Sequence, residues 1–306
     1  MTRIDMHVHV IPPAYREALG EGVALPPARL EDLIAMMARY AIDAAVISTG
    51  PPGAFLGDQA RANELARTGN EEIAAIVRGA PDTFAGLAML PLPDVDAALA
   101  ELAHALDVLE LDGVMLLSST AGTYLGDPAW DALYAELDRR GTYVFVHPGF
   151  PPQGPAIPEH PVWLYEFPFE TTRAIAQLIY SGTLERHPSI RFQFAHLGGT
   201  APFLAHRIAS LEQREPQLAT AAPAGALEYL RRQFYDTGLT NNSPALAATR
   251  EVAGIDRIVF GTDWPFANVN VTTEAMKTYQ TLEAISPTQR AAIDRGNALR
   301  LFPQLA

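Results

Sequence analysis

Short runs of β-branched and aromatic residues alternate along the chain with longer segments that show helical spacing. The runs predict eight strands, at residues 3–10, 44–49, 84–90, 113–118, 143–147, 191–196, 234–239 and 257–263. The segment from Asp94 to Leu109 is typical of the segments between them, because its apolar residues recur at three- and four-residue steps. Strict alternation of strand and helix favours right-handed crossovers and a parallel sheet.

Eight strand-helix repeats in 306 residues fit a (β/α)8, or TIM, barrel better than a doubly wound sheet. No linker and no shift in composition divides the chain, so we predict one domain over residues 1–306. In such a barrel the active site is built at the C-terminal ends of the strands. We therefore expect the catalytic residues at these strand ends.

Two loops follow predicted strands and contain unusual residues. Residues 50–57 follow the second strand and include Phe55. Residues 148–168 follow the fifth and contain seven prolines together with Phe150, Trp163, Tyr165 and Phe167. Long loops in compact domains are commonly functional or disordered. The aromatic content favours a packed cover over a pocket at the strand ends.

Histidines and one aspartate stand at the ends of several predicted strands. His7 and His9 lie two residues apart on the first strand and therefore face the same side. His147, His196 and Asp263 close the fifth, sixth and eighth strands. Imidazole nitrogens and a carboxylate suit a borderline divalent ion such as zinc. The pattern predicts a metal site in the mouth of the barrel. The other histidines lie on helices or in turns and receive no role: His104, His160, His187 and His206.

Composition and charge exclude several classes of function. With 48% hydrophobic and 19% charged residues the chain is globular rather than disordered. The absence of cysteine removes disulfides, thiolate ligands and cysteine nucleophiles. A net charge of -13 opposes nucleic-acid binding. No apolar run approaches the length of a membrane helix, and the first residues show no secretory leader, so we expect a cytoplasmic protein with no membrane association.

The sequence resembles the amidohydrolase-related (amidohydrolase 2) superfamily, in the branch of aminocarboxymuconate-semialdehyde decarboxylase, and most of all 6-methylsalicylate and related aromatic-acid decarboxylases. The resemblance runs almost end to end and is carried by motifs at residues 4–9, 90–96, 124–128, 144–148, 166–173, 196–200, 261–266 and 296–303. Two positions depart from the pattern. Trp264 stands where a tyrosine is frequent, and residues 237–242 replace a more usual Thr-Ala-Leu-Ser run. Both bear on the substrate more than on the reaction.

The resemblance implies roles for individual residues. His7, His9, His147 and Asp263 become the ligands of one divalent ion, zinc or alternatively manganese. His196 becomes a catalytic histidine that does not bind the metal. The resemblance also implies a homodimer or higher homo-oligomer, in which Arg207 reaches the neighbouring subunit's site.

A mononuclear site follows from the distribution of lysine. Binuclear barrel hydrolases bridge their two ions with a carboxylated lysine at the end of the fourth strand. The fourth strand here ends in Ser118, and the only lysine of the chain, Lys277, lies far downstream.

The predicted activity is the metal-dependent, non-oxidative decarboxylation of a small aromatic acid, such as an ortho-hydroxybenzoate, or of a related unsaturated carboxylic acid. Asp263 is the candidate acid at the ring carbon, and His196 orients the substrate and exchanges that proton with solvent. A flat ring would be walled by aromatic residues, namely Phe55, Phe150, Trp163, Phe167 and Trp264. Two alternatives stay open: a hydrolase of a lactone, pyrone or amide that uses the same mononuclear site, and a barrel whose site is vestigial.

Overall fold

Eight parallel strands lie side by side in chain order, each hydrogen-bonded to the next, in the computed structural model of the protein, which describes residues 2–20, 22–23, 25–27 and 29–306. The strands are β1 (Arg3–His9), β2 (Ile42–Ser48), β3 (Phe84–Met89), β4 (Gly113–Leu117), β5 (Tyr143–His147), β6 (Arg191–Phe194), β7 (Phe234–Asp236) and β8 (Ile258–Val259).

Backbone hydrogen bonds close this sheet into a barrel. The Met6 N–H donates to the Phe260 carbonyl (2.9 Å), and the His9 N–H donates to the Trp264 carbonyl (2.8 Å). These bonds join β1 to the segment that follows β8. The predicted TIM barrel is therefore confirmed.

Helices occupy the connections between the strands. The α-helices are α1 (Pro13–Leu19), α2 (Leu30–Arg39), α3 (Gln59–Gly79), α4 (Val95–Asp107), α5 (Asp131–Arg140), α6 (Glu166–Tyr180), α7 (Thr183–Arg186), α8 (Ala201–Ser210), α9 (Pro216–Ala221), α10 (Ala226–Arg232), α11 (Ser243–Ala253), α12 (Val269–Gln280), α13 (Pro287–Ala291) and α14 (Asn297–Leu299). Within the described ranges, no helix combines the length and apolar character needed to cross a membrane.

Shorter elements complete the connections. A two-stranded antiparallel hairpin, Ser119–Thr120 with Thr123–Tyr124, follows β4. Single turns of 3₁₀ helix lie at Pro128–Trp130, Val162–Leu164, His196–Gly198, Leu211–Gln213, Ile255–Arg257 and Pro303–Leu305, and a π-helical turn lies at Ala292–Gly296.

Two apolar layers stabilise the barrel. An outer layer lies between the strands and the helices, and an inner layer lies in the interior enclosed by the strands. Ile4 and Met6 of β1 belong to the inner layer. The C-terminal segment packs against that layer, with the Phe302 ring 4.8 Å from the ring of Tyr143, the first residue of β5. The inner layer therefore fills the N-terminal end of the barrel and leaves polar side chains for the other end.

Three strands end at least two residues before their predicted ends. The runs ending at His196, Leu239 and Asp263 leave the sheet early, so β6, β7 and β8 stop at Phe194, Asp236 and Val259. The predicted end residues, which lie two to four residues beyond the observed ends, have a left-handed backbone, with φ of 56°, 52° and 59° respectively. Such a residue turns the chain out of the strand ladder.

The long loop after β5 is also shorter than predicted. Helix α6 begins at Glu166 rather than beyond residue 168, so the irregular segment covers residues 148–165. A single 3₁₀ turn, Val162–Leu164, lies within it. Phe167 therefore stands on the first turn of a helix, which fixes its position more firmly than a loop would.

Candidate metal centre

Three histidines direct their Nε2 atoms toward one oxygen of Asp263. The distances to Asp263 Oδ1 are 3.1 Å from His7, 3.4 Å from His9 and 3.7 Å from His147. A register shift in β1 between Asp5 and Val8 interrupts the simple alternation of the strand. Met6, which precedes His7, belongs to the inner apolar layer, so unbroken alternation would turn His7 and His9 outward. Because of the shift, His7 and His9 face the barrel interior together, above that layer.

Each of these histidines is held through its other ring nitrogen. The Nδ1–H of His7 donates to Asp236 Oδ1 (2.8 Å), and that of His147 donates to the Pro148 carbonyl (2.8 Å). Nδ1 of His9 is hydrogen-bonded to Ser48 Oγ (2.9 Å). This arrangement fixes the ring orientation and presents the Nε2 lone pair, as is usual for histidines that bind metals.

The buried polar atoms of the cluster fit a divalent cation. Nε2 of His7, His9 and His147 and Oδ1 of Asp263 are all buried, and no described residue forms a hydrogen bond with any of them. Buried polar atoms without partners are rare and costly. Three imidazole nitrogens and one carboxylate oxygen form a donor set that zinc and other borderline divalent ions accept.

His196 lies in the same cluster but is bonded differently. Its Nε2 lies 3.1 Å from Asp263 Oδ2, and its Nδ1 is buried without a partner among the described residues. One candidate ligand atom from each of His7, His147, His196 and Asp263 lies within 4.8 Å of the others. The structure thus brings all five predicted residues together, and the hydrogen-bonding pattern distinguishes His196 from the other three histidines.

Burial and charge act in opposite directions on these groups. Burial by itself lowers the pKa of His7, but the carboxylates of Asp236 and Asp263 outweigh it and raise that pKa to about 10. Burial lowers the pKa of His9 to about 3 and also lowers that of His147. Burial alone would raise the pKa of Asp263, yet the surrounding imidazoles, His7 foremost, hold it well below its usual value. The two carboxylates therefore favour positive charge at His7, and a metal ion bound to Nε2 would take the place of the proton that this raised pKa describes.

Asp236, which was not predicted from the sequence, is hydrogen-bonded to two residues of the cluster. Its Oδ1 accepts hydrogen bonds from His7 Nδ1, from the His196 N–H (3.2 Å) and from the Gly238 N–H (2.9 Å). Its Oδ2 accepts one from Gln193 Nε2 (3.0 Å). The only signal in the sequence is an isolated acid inside an apolar strand. Ser48 is a single polar residue at the end of β2 and was likewise not predicted.

Glycine is required where the backbone passes close to the histidine rings. A Cβ on Gly50, whose φ is +74°, would lie 2.8 Å from His9 Nδ1. A Cβ on Gly238 would lie 2.7 Å from His7 Nδ1. Both distances are shorter than a van der Waals contact, so a side chain there would displace a ring of the cluster.

A cavity of about 210 Å³ lies at the same end of the barrel, between the loops after β2 and β5 and the ends of β3 and β4. Phe55 and Phe150, both predicted to line the pocket, contribute to its wall. The Phe167 ring lies 5.8 Å from Phe150 and 6.3 Å from His147. Phe167 therefore stands between this cavity and the histidine cluster.

Two further aromatic residues lie close to the cluster. Trp264 is buried directly after Asp263. Phe266, which the sequence analysis did not single out, places its ring 5.2 Å from that of His9.

Two of the predicted pocket residues, Trp163 and Arg207, are exposed on the surface of the chain. The Trp163 side chain is 70% exposed on the 3₁₀ turn before α6. Arg207 lies on the exposed face of α8. Neither residue is among those that line the cavity described above.

The match to known proteins is end to end. Residues 4–304 match the amidohydrolase family Amidohydro_2. The chain belongs to this family. It is 33% identical over 316 residues to a 6-methylsalicylic acid decarboxylase of Penicillium expansum, covering 100% of this chain and 97% of the relative. It is 28% identical to a 2-amino-3-carboxymuconate-6-semialdehyde decarboxylase of Dictyostelium discoideum, covering 98% and 91%. The resemblance inferred from the motifs is confirmed.

A solved structure shows the same fold. The dihydroxybenzoic acid decarboxylase from Polaromonas sp., determined with bound manganese and the inhibitor 2-nitroresorcinol, superimposes with a TM-score of 0.84 at 23% identity, covering 99% of this chain and 97% of that one. This similarity supports the barrel architecture for this member of the family.

Proposed function

We propose that this protein is a metal-dependent decarboxylase that acts without an oxidant on a small aromatic carboxylic acid. The observation that carries the proposal is the convergence of three imidazole Nε2 atoms on Asp263 Oδ1, in a chain whose curated relatives are named decarboxylases. An ortho-hydroxybenzoate, such as the acid in the name of the Penicillium relative, is the substrate class we favour.

The metal would be held by His7, His9, His147 and Asp263. A divalent ion in this position supplies a Lewis acid and an anchor for an anionic substrate. Zinc is the first candidate for this donor set and manganese the second. The only lysine of the chain, Lys277, lies exposed on α12, where it pairs with Glu274, which supports a single ion.

The chemistry needs one proton at a ring carbon. The carbon that carries the carboxylate gains a proton, the bond to the carboxyl carbon breaks, and its electron pair restores the aromatic ring as carbon dioxide leaves. His196 and Asp263 are the pair that would move this proton, because His196 Nε2 lies 3.1 Å from Asp263 Oδ2. The unpartnered Nδ1 of His196 provides a second position at which a proton can enter or leave the pair.

Aromatic side chains would orient the ring and keep water away. Phe167 lies against His147, and the adjoining cavity is walled by Phe55 and Phe150. Enclosure of the reacting groups strengthens the electrostatic interactions between them. Trp264, buried beside Asp263, would limit the size of the ring substituents.

We also propose that two copies of the chain form a homodimer. Large apolar side chains are exposed on the 3₁₀ turn before α6, on α6 and on α8, which packs against α6: Trp163 (70% exposed), Leu164 (60%), Phe169 (40%) and Phe203 (82%). A cluster of exposed apolar side chains is a common mark of a protein interface. Arg207 lies on the same helix as Phe203, so a homodimer formed through this apolar face would place Arg207 at the interface.

The proposal is tested by incubating purified protein, loaded with zinc or with manganese, with a panel of salicylates and muconate-type acids and with a panel of lactones. We expect carbon dioxide release from at least one acid and loss of that activity after chelation. Opening of lactones without carbon dioxide release would replace the proposal with a hydrolase. Full activity after exhaustive chelation would remove the metal from it.

A further inference from the structure

A second cavity, of about 360 Å³, lies at the opposite end of the barrel from the histidine cluster. Its wall is formed where β6, β7 and β8 begin and where the chain passes beneath them after α14. Four arginines line it: Arg191, Arg232, Arg257 and Arg300. We call this cavity the arginine pocket. The chain as a whole has a net charge of -13, so four guanidinium groups around one cavity form a local exception.

Only part of this positive charge is neutralised by the protein. Arg232 is paired with Glu228 (3.0 Å), but Glu228 also binds Arg231 (2.8 Å) outside the pocket. Arg300 lies 3.6 Å from Asp256. Among the residues that the structure describes, no carboxylate pairs with Arg191 or Arg257, so the pocket retains an excess of positive charge.

The two unpaired arginines are held by contacts that leave donors free. Arg191 uses Nε to donate to the Gly141 carbonyl (3.1 Å). Arg257 stacks over the Phe234 ring, with its guanidinium carbon 4.9 Å from the ring centre. Neither contact involves the terminal nitrogens of the guanidinium. A guanidinium that is oriented in advance loses less entropy when it binds an oxyanion, and its forked donors match carboxylate and phosphate oxygens.

We propose that the arginine pocket binds a small oxyanion with two or more negative charges, that is, an organic phosphate or a dicarboxylate. The pocket is concave and small, which excludes an extended polyanion. Leu184, Ile190 and Leu301 supply an apolar wall beside the guanidinium groups, so a ligand with a short carbon skeleton suits the cavity better than a bare ion.

This site is distinct from the metal centre. Phe234 and Asp236 are the first and last residues of β7, and they belong to the pocket and to the histidine cluster respectively. The two sites therefore open at opposite ends of the same strand. Binding in the arginine pocket should not require the metal and should not compete with an aromatic acid.

The test is isothermal titration calorimetry on the full chain with inorganic phosphate and with succinate, at an ionic strength kept constant with sodium chloride. We expect one saturable site for at least one probe, and the stronger probe identifies the oxyanion class. Arg257→Gln and Arg191→Gln should each weaken binding on the order of tenfold to a hundredfold, because each removes a charge-assisted hydrogen bond.

Two matched variants locate the site. Arg214→Gln makes the same change of charge at an exposed position outside the pocket and should leave binding intact, as should His196→Asn in the metal centre. Circular dichroism establishes that each variant is folded, and Arg300→Gln replaces any pocket variant that is not. Absence of saturable binding for both probes would overturn the proposal. An equal loss in Arg214→Gln, or a loss confined to His196→Asn, would overturn it as well.

Discussion

At the scale of single residues, the metal centre depends on what each histidine does with its Nδ1 atom. Asp236 and the Pro148 carbonyl accept hydrogen bonds from His7 and His147, which places the proton on Nδ1 and the lone pair on Nε2. Asp236 also accepts a hydrogen bond from the His196 N–H. One buried carboxylate therefore orients both a proposed ligand and the proposed catalytic histidine.

Replacing Asp236 should weaken metal binding without removing a ligand. Asp236→Asn leaves the side-chain volume nearly unchanged but weakens the hydrogen bond that fixes the tautomer of His7. We expect metal affinity to fall about 10- to 100-fold, measured by competition with a chromophoric chelator. Ser48→Ala, which affects only His9, is the milder comparison. Unchanged affinity in Asp236→Asn would show that the aspartate has only a structural role.

His196 and Asp263 should separate metal binding from proton transfer. His196→Asn should keep near-normal metal occupancy while turnover falls by about two to four orders of magnitude, because an amide cannot shuttle a proton. Asp263→Asn should lose turnover and metal together, since a neutral amide is a poorer ligand than a carboxylate. Metal analysis beside steady-state kinetics gives both quantities. If His196→Asn loses the metal as completely as Asp263→Asn, the ligand assignment is wrong.

The five residues of the cluster could be predicted from the sequence, because His7 and His9 share one face of the first strand and the other three residues close apolar runs that resemble strands. Asp236 and Ser48 could not, because a polar residue at a strand end carries no sign of which ring it will face. Their role depends on the barrel closing, which brings residues 7 and 236 within a hydrogen bond of each other.

At the scale of elements, the site is shaped by where strands stop. His196 and Asp263 lie just beyond β6 and β8 in a left-handed backbone, which turns their side chains across the barrel mouth. Left-handed non-glycine residues are energetically costly and concentrate at functional sites. The sequence could not reveal these early ends, because the apolar pattern of both runs continues to the functional residue.

The first turn of α6 should control binding of the aromatic ring. Phe167→Ala removes apolar contact worth about 1.5–3 kcal/mol when fully buried, so KM for the aromatic acid should rise on the order of tenfold, with a smaller change in kcat. Phe167→Leu should restore most of the affinity. Trp163→Ala, at an exposed position, should alter KM only if a second chain covers it. Normal kinetics in Phe167→Ala would remove this residue from the pocket.

At the scale of the whole molecule, one barrel separates three surfaces. The histidine cluster lies at the C-terminal ends of the strands, the arginine pocket at the N-terminal ends, and the exposed apolar face on the side formed by α6 and α8. The order of strands and the closed barrel followed from the sequence pattern. The arginine pocket did not, because Arg191, Arg232, Arg257 and Arg300 are dispersed in sequence and only the fold brings them together.

The apolar face should hold two chains together. Phe203→Asp places a charge at the most exposed of its aromatic positions and should convert a dimer into monomers in sedimentation velocity experiments. If Arg207 serves the neighbouring subunit, mixing inactive Arg207→Ala with inactive His196→Asn should restore part of the activity through mixed dimers. A wild-type protein that sediments as a monomer and is fully active would contradict the dimer.

In the proposed reaction a proton replaces a carboxylate on a ring carbon. The most direct measurement is turnover of an ortho-hydroxybenzoate substrate by the metal-loaded enzyme in heavy water, with the product examined by NMR and mass spectrometry. We expect one deuterium, located at the carbon that carried the carboxylate, and one carbon dioxide for each product molecule. A product that retains its carboxylate, or one that gains a solvent oxygen and no deuterium on carbon, would contradict it.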